Sequence, residues 1–312
     1  MHRGFACASP RGMYGAPKAD VRLRKITAPE LRARKGQGPK ITMITAYDYT
    51  MARLVDAGGA DMILVGDSLG MIVQGEPHTL AVTVDDLCYH GRCVARGVER
   101  AHLVGDMPFM SYQLSPTQAL ENAGRMVKEG RYESIKLEGG AAVAEHVARI
   151  VAAGIPVVGH VGLTPQSVHA FGGFRVQGRG DEAEARILAD ARALEEAGAF
   201  CIVLEAVPPD LAEAITKSVS VPTIGIGAGA ACDGQVLVCT DMLGMGLAPA
   251  PKFTKRFAEL GKQAVEAFES YVREVREGSF PGPEHAYKPN RGAAAGVSEA
   301  PPGVVAGDRV AG

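Results

Sequence analysis

The chain has no tryptophan, and aromatic residues make up only 5% of its 312 positions. A carbohydrate-stacking surface or an aromatic cage is therefore disfavoured. It also lacks an excess of either charge, with 33 Lys+Arg against 35 Asp+Glu. Without a broad basic surface, general nucleic-acid binding loses its main driving force. No uninterrupted apolar run reaches the roughly 18 residues that a membrane helix needs. The six cysteines, at positions 7, 88, 93, 201, 232 and 239, include no C-x-x-C pair. That argues against a disulfide framework or a zinc cluster and fits a reducing cytoplasm. What remains is an ordinary globular composition, 46% apolar and 22% charged, with 39 glycines. The length suffices for one large α/β barrel or two average domains.

The ends differ from the middle. Residues 1–40 hold ten Lys/Arg against two Asp/Glu and lack the apolar stretch of a secretory signal. Residues 1–24 read as a basic, flexible arm. Thr27, Pro29 and Glu30 then spell a helix start with a capping box. Residues 288–312 are rich in Ala, Gly and Pro and too poor in large apolar side chains to offset ordering entropy, which predicts a disordered tail. The single catalytic domain is expected over 25–287.

Between these ends, short β-rich runs recur at 41–47, 61–66, 102–106, 134–138, 155–161, 200–206, 222–227 and 236–240. Several are continuously apolar, as parallel strands covered on both faces should be. Helix signals separate them, at 84–96, 116–129, 182–197 and 209–218, and a helix over 252–277 follows the last strand. Eight strands with intervening helices argue for an α/β fold of the (β/α)8 TIM-barrel type. A doubly wound sheet is the competing arrangement. The connection 228–235 is too short for a full helix.

In such barrels the C-terminal strand ends build the active site. Here those ends carry Tyr47-Asp48, Asp67-Ser68, Asp106, Lys136 with Glu138, His160 and Glu205. Any one of them has a plain explanation as a cap or a solvated loop residue. As a set, Asp67, Asp106 and Glu138 would repel one another in a shared low-dielectric mouth unless a cation or a proton lies between them. Carboxylate oxygens without a Cys or His cluster favour Mg²⁺ over Zn²⁺. A 2-oxo acid could chelate such an ion, which would polarise its carbonyl. Lys136 lies two residues before Glu138, so both side chains point into the barrel. It is a counter-ion, a binder of a substrate carboxylate or a Schiff-base former. Glu205 ends the apolar run C-I-V-L-E, where burial would favour general acid–base work, or it is a core carboxylate paired with a cation. His160 is a structural or a supporting catalytic histidine. Ser68 suits either a helix cap or a hydrogen bond to a substrate carboxylate.

These residues lie within segments that resemble the ketopantoate hydroxymethyltransferase family. The segments are T-A-Y-D-Y (45–49), V-G-D-S-L-G-M (65–71), D-M-P-F-M-S-Y (106–112), K-L-E-G-G (136–140), G-H-V-G-L-T-P-Q-S (159–167), F-G-G-F-R-V-Q-G-R-G (171–180), L-E-A-V-P (204–208), G-I-G-A-G (225–229) and F-P-G-P-E-H (280–285). The resemblance spans about residues 41–285. It implies a barrel of the phosphoenolpyruvate/pyruvate-binding superfamily. It also implies transfer of a hydroxymethyl group from 5,10-methylenetetrahydrofolate to 3-methyl-2-oxobutanoate, giving 2-dehydropantoate on the way to pantothenate. On that pattern one Mg²⁺ falls to Asp67, Asp106 and Glu138, and the keto acid to Asp67, Ser68, Asp106 and Lys136. Glu205 is the proton acceptor. The implied assembly is a cytoplasmic homo-oligomer, a decamer in the family, with no nucleic-acid or membrane partner.

The nearest rival is another Mg²⁺-dependent superfamily member, a phosphoenolpyruvate mutase or an isocitrate-lyase-like carbon–carbon lyase. Such lyases use a C-G-H loop, and that triplet does not occur in this sequence. The Gly-rich stretch 171–180, with Arg175 and Arg179, reads as a flap over the pocket, a contact for the folate glutamate or a plain surface loop.

Overall fold

The computed structural model describes residues 24–246 and 251–287. Its eight strands are β1 (Ile41–Thr45), β2 (Met62–Val65), β3 (His102–Asp106), β4 (Ser134–Glu138), β5 (Val157–Gly162), β6 (Cys201–Glu205), β7 (Thr223–Ile226) and β8 (Gly234–Leu237). They form one closed barrel in sequence order, each parallel to the next, with β8 returning to β1. Closure settles the choice against a doubly wound sheet.

The continuously apolar strands are explained by two cores. Met43, Met62, Leu64, Val104, Val158 and Val203 fill the barrel interior. Their neighbours Ile63, Leu103, Ile135, Leu137, Ile202 and Leu204 pack outward under the helical coat. Strand side chains alternate between faces, so a strand buried on both sides needs apolar residues at every position. Each fully buried Leu, Ile or Val contributes about 1.5–3 kcal/mol.

The short helix Ala28–Arg32 closes the N-terminal end of the barrel. Ile26, Ala28 and Leu31 join the interior core. The Ile26 N–H donates to the Arg100 carbonyl just before β3. As the capping-box pattern requires, the Glu30 carboxylate accepts from the Thr27 backbone N–H at 2.9 Å. Except for Arg24, which pairs with Glu30, the reading of residues 1–24 as an arm lies outside the described residues, as does that of 288–312 as a tail.

Four helices fall where their signals stand: Val84–Ala95, Pro116–Arg125, Asp181–Glu196 and Pro209–Ser218. The second gives way to a wider turn over Met126–Gly130 instead of running on to 129 as an α-helix. That turn lays Gly130 against the Tyr132 ring, where a Cβ would sit 2.5 Å from Cε2. The strand expected at 236–240 lies earlier. Gly234 lets β8 approach β1, since a Cβ there would meet the Ile41 carbonyl. The Cys239 N–H donates to the Thr45 hydroxyl at 3.0 Å, and a helix Cys239–Met242 begins in place of further strand. The helix expected from 252 starts at Leu260. Up to and including its first turn, the N–H groups of Phe257, Leu260 and Gly261 bond the carbonyls of Met242, Leu243 and Gly244, so they are not available to an earlier helix. As expected, no helix lies between β7 and β8.

By contacts the chain divides into two compact units, Met1–Gly261 and Lys262–Gly312. The first contains the whole barrel. In the second, the described residues continue the helix Leu260–Glu277 and end in a short turn, Pro283–His285. No helix among the described residues is long and apolar enough to cross a membrane.

Candidate active site

Strand periodicity and register build the site. Val104, Val158 and Val203 face the interior core. Two residues further along the same strands stand Asp106, His160 and Glu205, which period two carries to the same face at the barrel mouth. Lys136 and Glu138 share that face on β4. Register then chooses neighbours: Asp106 pairs with Lys136, and Glu138 with His160. Asp67 and Ser68 follow β2 one residue later, after Gly66, and Ser68 precedes the short helix Leu69–Ile72.

The contacts follow this placement. The Lys136 ammonium donates to Asp106 Oδ1 at 2.6 Å. His160 Nδ1 lies 3.4 Å from Glu138 Oε1, and its Nε2 lies 3.3 Å from Glu205 Oε2. Both are ion-pair contacts without hydrogen-bond alignment. Tyr47 and Ser68 share a hydroxyl–hydroxyl bond of 2.8 Å. Asp48, by contrast, caps the helix Tyr49–Ala57 by accepting from the Met51 N–H, which is its plain role.

One cavity of about 600 Å³ is lined by Asp67, Ser68, Asp106, Lys136, Glu138 and Glu205. Six of the residues singled out in the sequence thus meet there. His160 lies behind them, buried, touching Glu138 and Glu205. Glu205 is less buried than its apolar strand suggests, with 18% of its side chain exposed at the mouth.

Sequence reasoning missed Gln166. Its side-chain amide donates to Asp67 Oδ2 at 2.9 Å and to the Met107 carbonyl at 2.8 Å. Its side-chain oxygen accepts from the Tyr112 hydroxyl at 2.8 Å. Its backbone N–H donates to Glu138 Oε2 at 3.1 Å. One residue thus braces two of the three candidate ligands. The only signal was its place in the segment 159–167, because a neutral side chain carries no mark of such a role.

The electrostatics are unbalanced. Burial, and then the charges of Asp106 and Glu138, push the Asp67 carboxyl well above the usual range. Burial also raises Asp106 against the pull of Lys136. Burial opposes the charge on Glu138 as well, but His160, Lys136 and the Gln166 N–H outweigh it and hold Glu138 below its usual value. For His160, burial and Lys136 disfavour the cation, yet Glu138 and Glu205 prevail and the imidazole is pushed up to about 9. Lys136 is likewise held in its charged form, the acids overcoming burial. Two buried cations, Lys136 and His160, face the carboxylates Asp67, Asp106, Glu138 and Glu205.

A hard divalent cation suits this excess of oxygen donors and negative charge. Among the described residues no three acidic, histidine or cysteine side chains form a closed metal cage. Lys136 occupies one oxygen of Asp106, and Gln166 one of Asp67. A closed cage is not required, because Mg²⁺ keeps several waters and usually takes only one or two carboxylates beside its substrate. The donor set fits that ion.

Phosphonopyruvate hydrolase, solved with oxalate and Mg²⁺, superposes with a TM-score of 0.55 at 17% identity, covering 83% of this chain and 93% of that one. A crystal form of 2,3-dimethylmalate lyase gives 0.54 at 18% identity, with 84% and 91% covered. At such identities the likeness establishes the barrel fold alone. In sequence, the chain is 55% identical over 264 residues to 3-methyl-2-oxobutanoate hydroxymethyltransferase of Clostridium novyi, covering 85% of this chain and 96% of that protein. It is 53% identical to the enzyme of that name from Enterococcus faecalis, with the same coverage. The profile of ketopantoate hydroxymethyltransferase matches residues 25–283, and the chain belongs to that family.

Proposed function

We propose that this enzyme transfers a hydroxymethyl group from 5,10-methylenetetrahydrofolate to 3-methyl-2-oxobutanoate. The product is 2-dehydropantoate, and the reaction opens pantothenate biosynthesis. Atoms balance when water supplies the hydroxyl oxygen: keto acid, methylene carrier and water give the hydroxymethylated keto acid and the free carrier. The observation that carries this reading is one cavity combining Asp67, Asp106 and Glu138 with Lys136 and Glu205, in a chain of this family.

Asp67, Asp106 and Glu138 would hold the ion, and Mg²⁺ bound there would supply charge stabilisation at the keto oxygen. Lys136, fixed by Asp106, directs an ammonium into the cavity and attracts the substrate carboxylate. Tyr47, buried and kept protonated, can donate to Ser68, which frees the Ser68 proton for a substrate oxygen. Glu205 accepts a proton at the mouth, and His160 sets a positive charge beside one of its oxygens. Loss of the C3 proton leaves an enolate whose carbon attacks the one-carbon unit. A cytoplasmic setting accords with the free cysteines at 88, 93, 201, 232 and 239. The decameric assembly rests on the family resemblance.

Two assays test this reading. Dehydropantoate formation should require both the folate and Mg²⁺. In heavy water with Mg²⁺, the enzyme should exchange the C3 proton of 3-methyl-2-oxobutanoate but no proton of phosphonopyruvate or isocitrate. Absence of keto-acid exchange together with absence of product would overturn it.

A further inference from the structure

The floor of the cavity is polar and its rim is not. Met71, Ile72, Phe174, Val176 and Phe253 all line the cavity, and all are exposed large apolar side chains. Exposed apolar residues scattered singly need no explanation, but a ring of them around one mouth marks a binding surface. The short keto acid, held at the carboxylates and Lys136, cannot fill a volume in the range of about 300–1,000 Å³ that drug-sized ligands occupy. A second cavity of about 690 Å³ adjoins the first, sharing Val176, Ala206, Lys252 and Phe253 and adding Lys40. The two form a groove that passes over Phe253, with exposed Lys252 where they meet.

The rim is anchored to the catalytic strands. The Gln177 N–H donates to the carbonyl of Ala206, the residue after Glu205, at 2.9 Å. Phe253 packs on the exit of β7, where a Cβ at Gly227 would lie 3.0 Å from its ring. A ligand lying on this rim therefore passes beside Glu205. A reduced folate matches the groove chemically: flat rings suited to aromatic and apolar contact, then a glutamyl tail with carboxylates for a cation.

We propose that Phe174, Val176 and Phe253 seat the rings of the one-carbon carrier, and that Lys252 binds its glutamyl carboxylate where the groove enters the second cavity. The assignment rests on the transferase reading above. It explains why the cavity continues beyond the keto-acid floor, and it brings the carried carbon to the side of the pocket that holds Glu205.

The test separates the two substrates. In Phe253→Ala the KM for 5,10-methylenetetrahydrofolate should rise about tenfold or more, as loss of a stacking ring typically does. Lys252→Gln should raise it severalfold and weaken its dependence on salt. In both variants the KM for 3-methyl-2-oxobutanoate and the Mg²⁺-dependent C3 exchange should stay near wild type, which also certifies folding. Arg179→Gln, on the same segment but outside the cavity lining, should leave the folate KM unchanged. Wild-type folate KM in both Phe253→Ala and Lys252→Gln would overturn the seat while leaving the transferase reading intact. Absence of C3 exchange in the wild-type enzyme would instead strike the reading beneath it.

Discussion

Nε2 of His160 lies 3.3 Å from Oε2 of Glu205, while Nδ1 of the same ring faces Glu138 at 3.4 Å. One buried imidazole thus spans the proposed proton acceptor and a proposed metal ligand. With its pKa pushed up to about 9, the ring is cationic at neutral pH and offsets both carboxylates. Glu205→Gln keeps the size of the side chain and removes the basic oxygen. Its kcat should fall by about 10²–10⁴, the usual worth of a positioned base. Keto-acid affinity, measured by calorimetry with Mg²⁺ present, should survive. Undiminished turnover would remove Glu205 from the mechanism.

The charge excess around Asp67 gives a two-sided prediction for the metal. Ligand binding to the folded state raises stability by about 2.7 kcal/mol at a hundredfold excess over Kd. Mg²⁺ should therefore raise Tm by several degrees, at about 2–4 °C per kcal/mol for a chain of this size. Asp67→Asn should abolish that response. In EDTA the same variant should melt higher than wild type, because it removes the cost of burying a carboxyl there and then of setting it beside Asp106 and Glu138. A wild-type Mg²⁺ shift in Asp67→Asn would exclude Asp67 as a ligand.

Gln166 offers a test of positioning. Gln166→Leu strips the side-chain amide from Asp67 and the Met107 carbonyl at once, and leaves the Tyr112 hydroxyl only the backbone of Glu138. Leaving buried polar groups unpaired costs about 1–3 kcal/mol, readable by urea denaturation. Mg²⁺ affinity should fall as well, since Asp67 loses its brace. Equal Mg²⁺ affinity in the variant would confine Gln166 to a structural role.

How much of this could be read from the sequence follows from the kind of signal each residue carries. The strands were legible because a parallel barrel demands apolar residues on both faces, and C-I-V-L-E or D-M-I-L-V-G satisfies that demand locally. Asp106, Lys136 and Glu138 were legible only as a set, because charges that converge on one strand-end mouth need a common explanation that each alone does not. Gln166 was not, since a neutral amide becomes important only when folding brings Asp67, Tyr112 and Glu138 around it. The helix expected from 252 failed for a similar reason. Backbone bonds from Phe257, Leu260 and Gly261 to residues 242–244 override local propensity, and such tertiary bonds leave no periodic trace. The pairing of Lys136 with Asp106 required the register of β3 against β4, which spacing along one strand cannot supply.

The N-terminal end of the barrel should govern stability in acid. Asp61, just before β2, accepts from the Thr42 N–H and pairs with Arg34 at 2.8 Å. Asp233, just before β8, pairs with Lys35 at 2.8 Å and accepts from the Thr223 N–H. Burial opposes both charges, but Thr42 and Arg34 hold the Asp61 carboxyl below its usual value, and Lys35 and Thr223 do the same for Asp233. A carboxyl whose folded pKa is depressed contributes stability above its unfolded value of about 3.9, and loses it as pH falls through the folded value. Tm should therefore be nearly flat in this respect above about pH 5 and fall below about pH 4. The double variant Asp61→Asn/Asp233→Asn should melt lower than wild type at pH 7. The gap should narrow on acidification, because wild type then loses the charges that the variant never had. Melting curves at pH 7 and pH 3 decide the matter, and a gap of equal size at both would show that these two carboxylates do not carry the acid sensitivity.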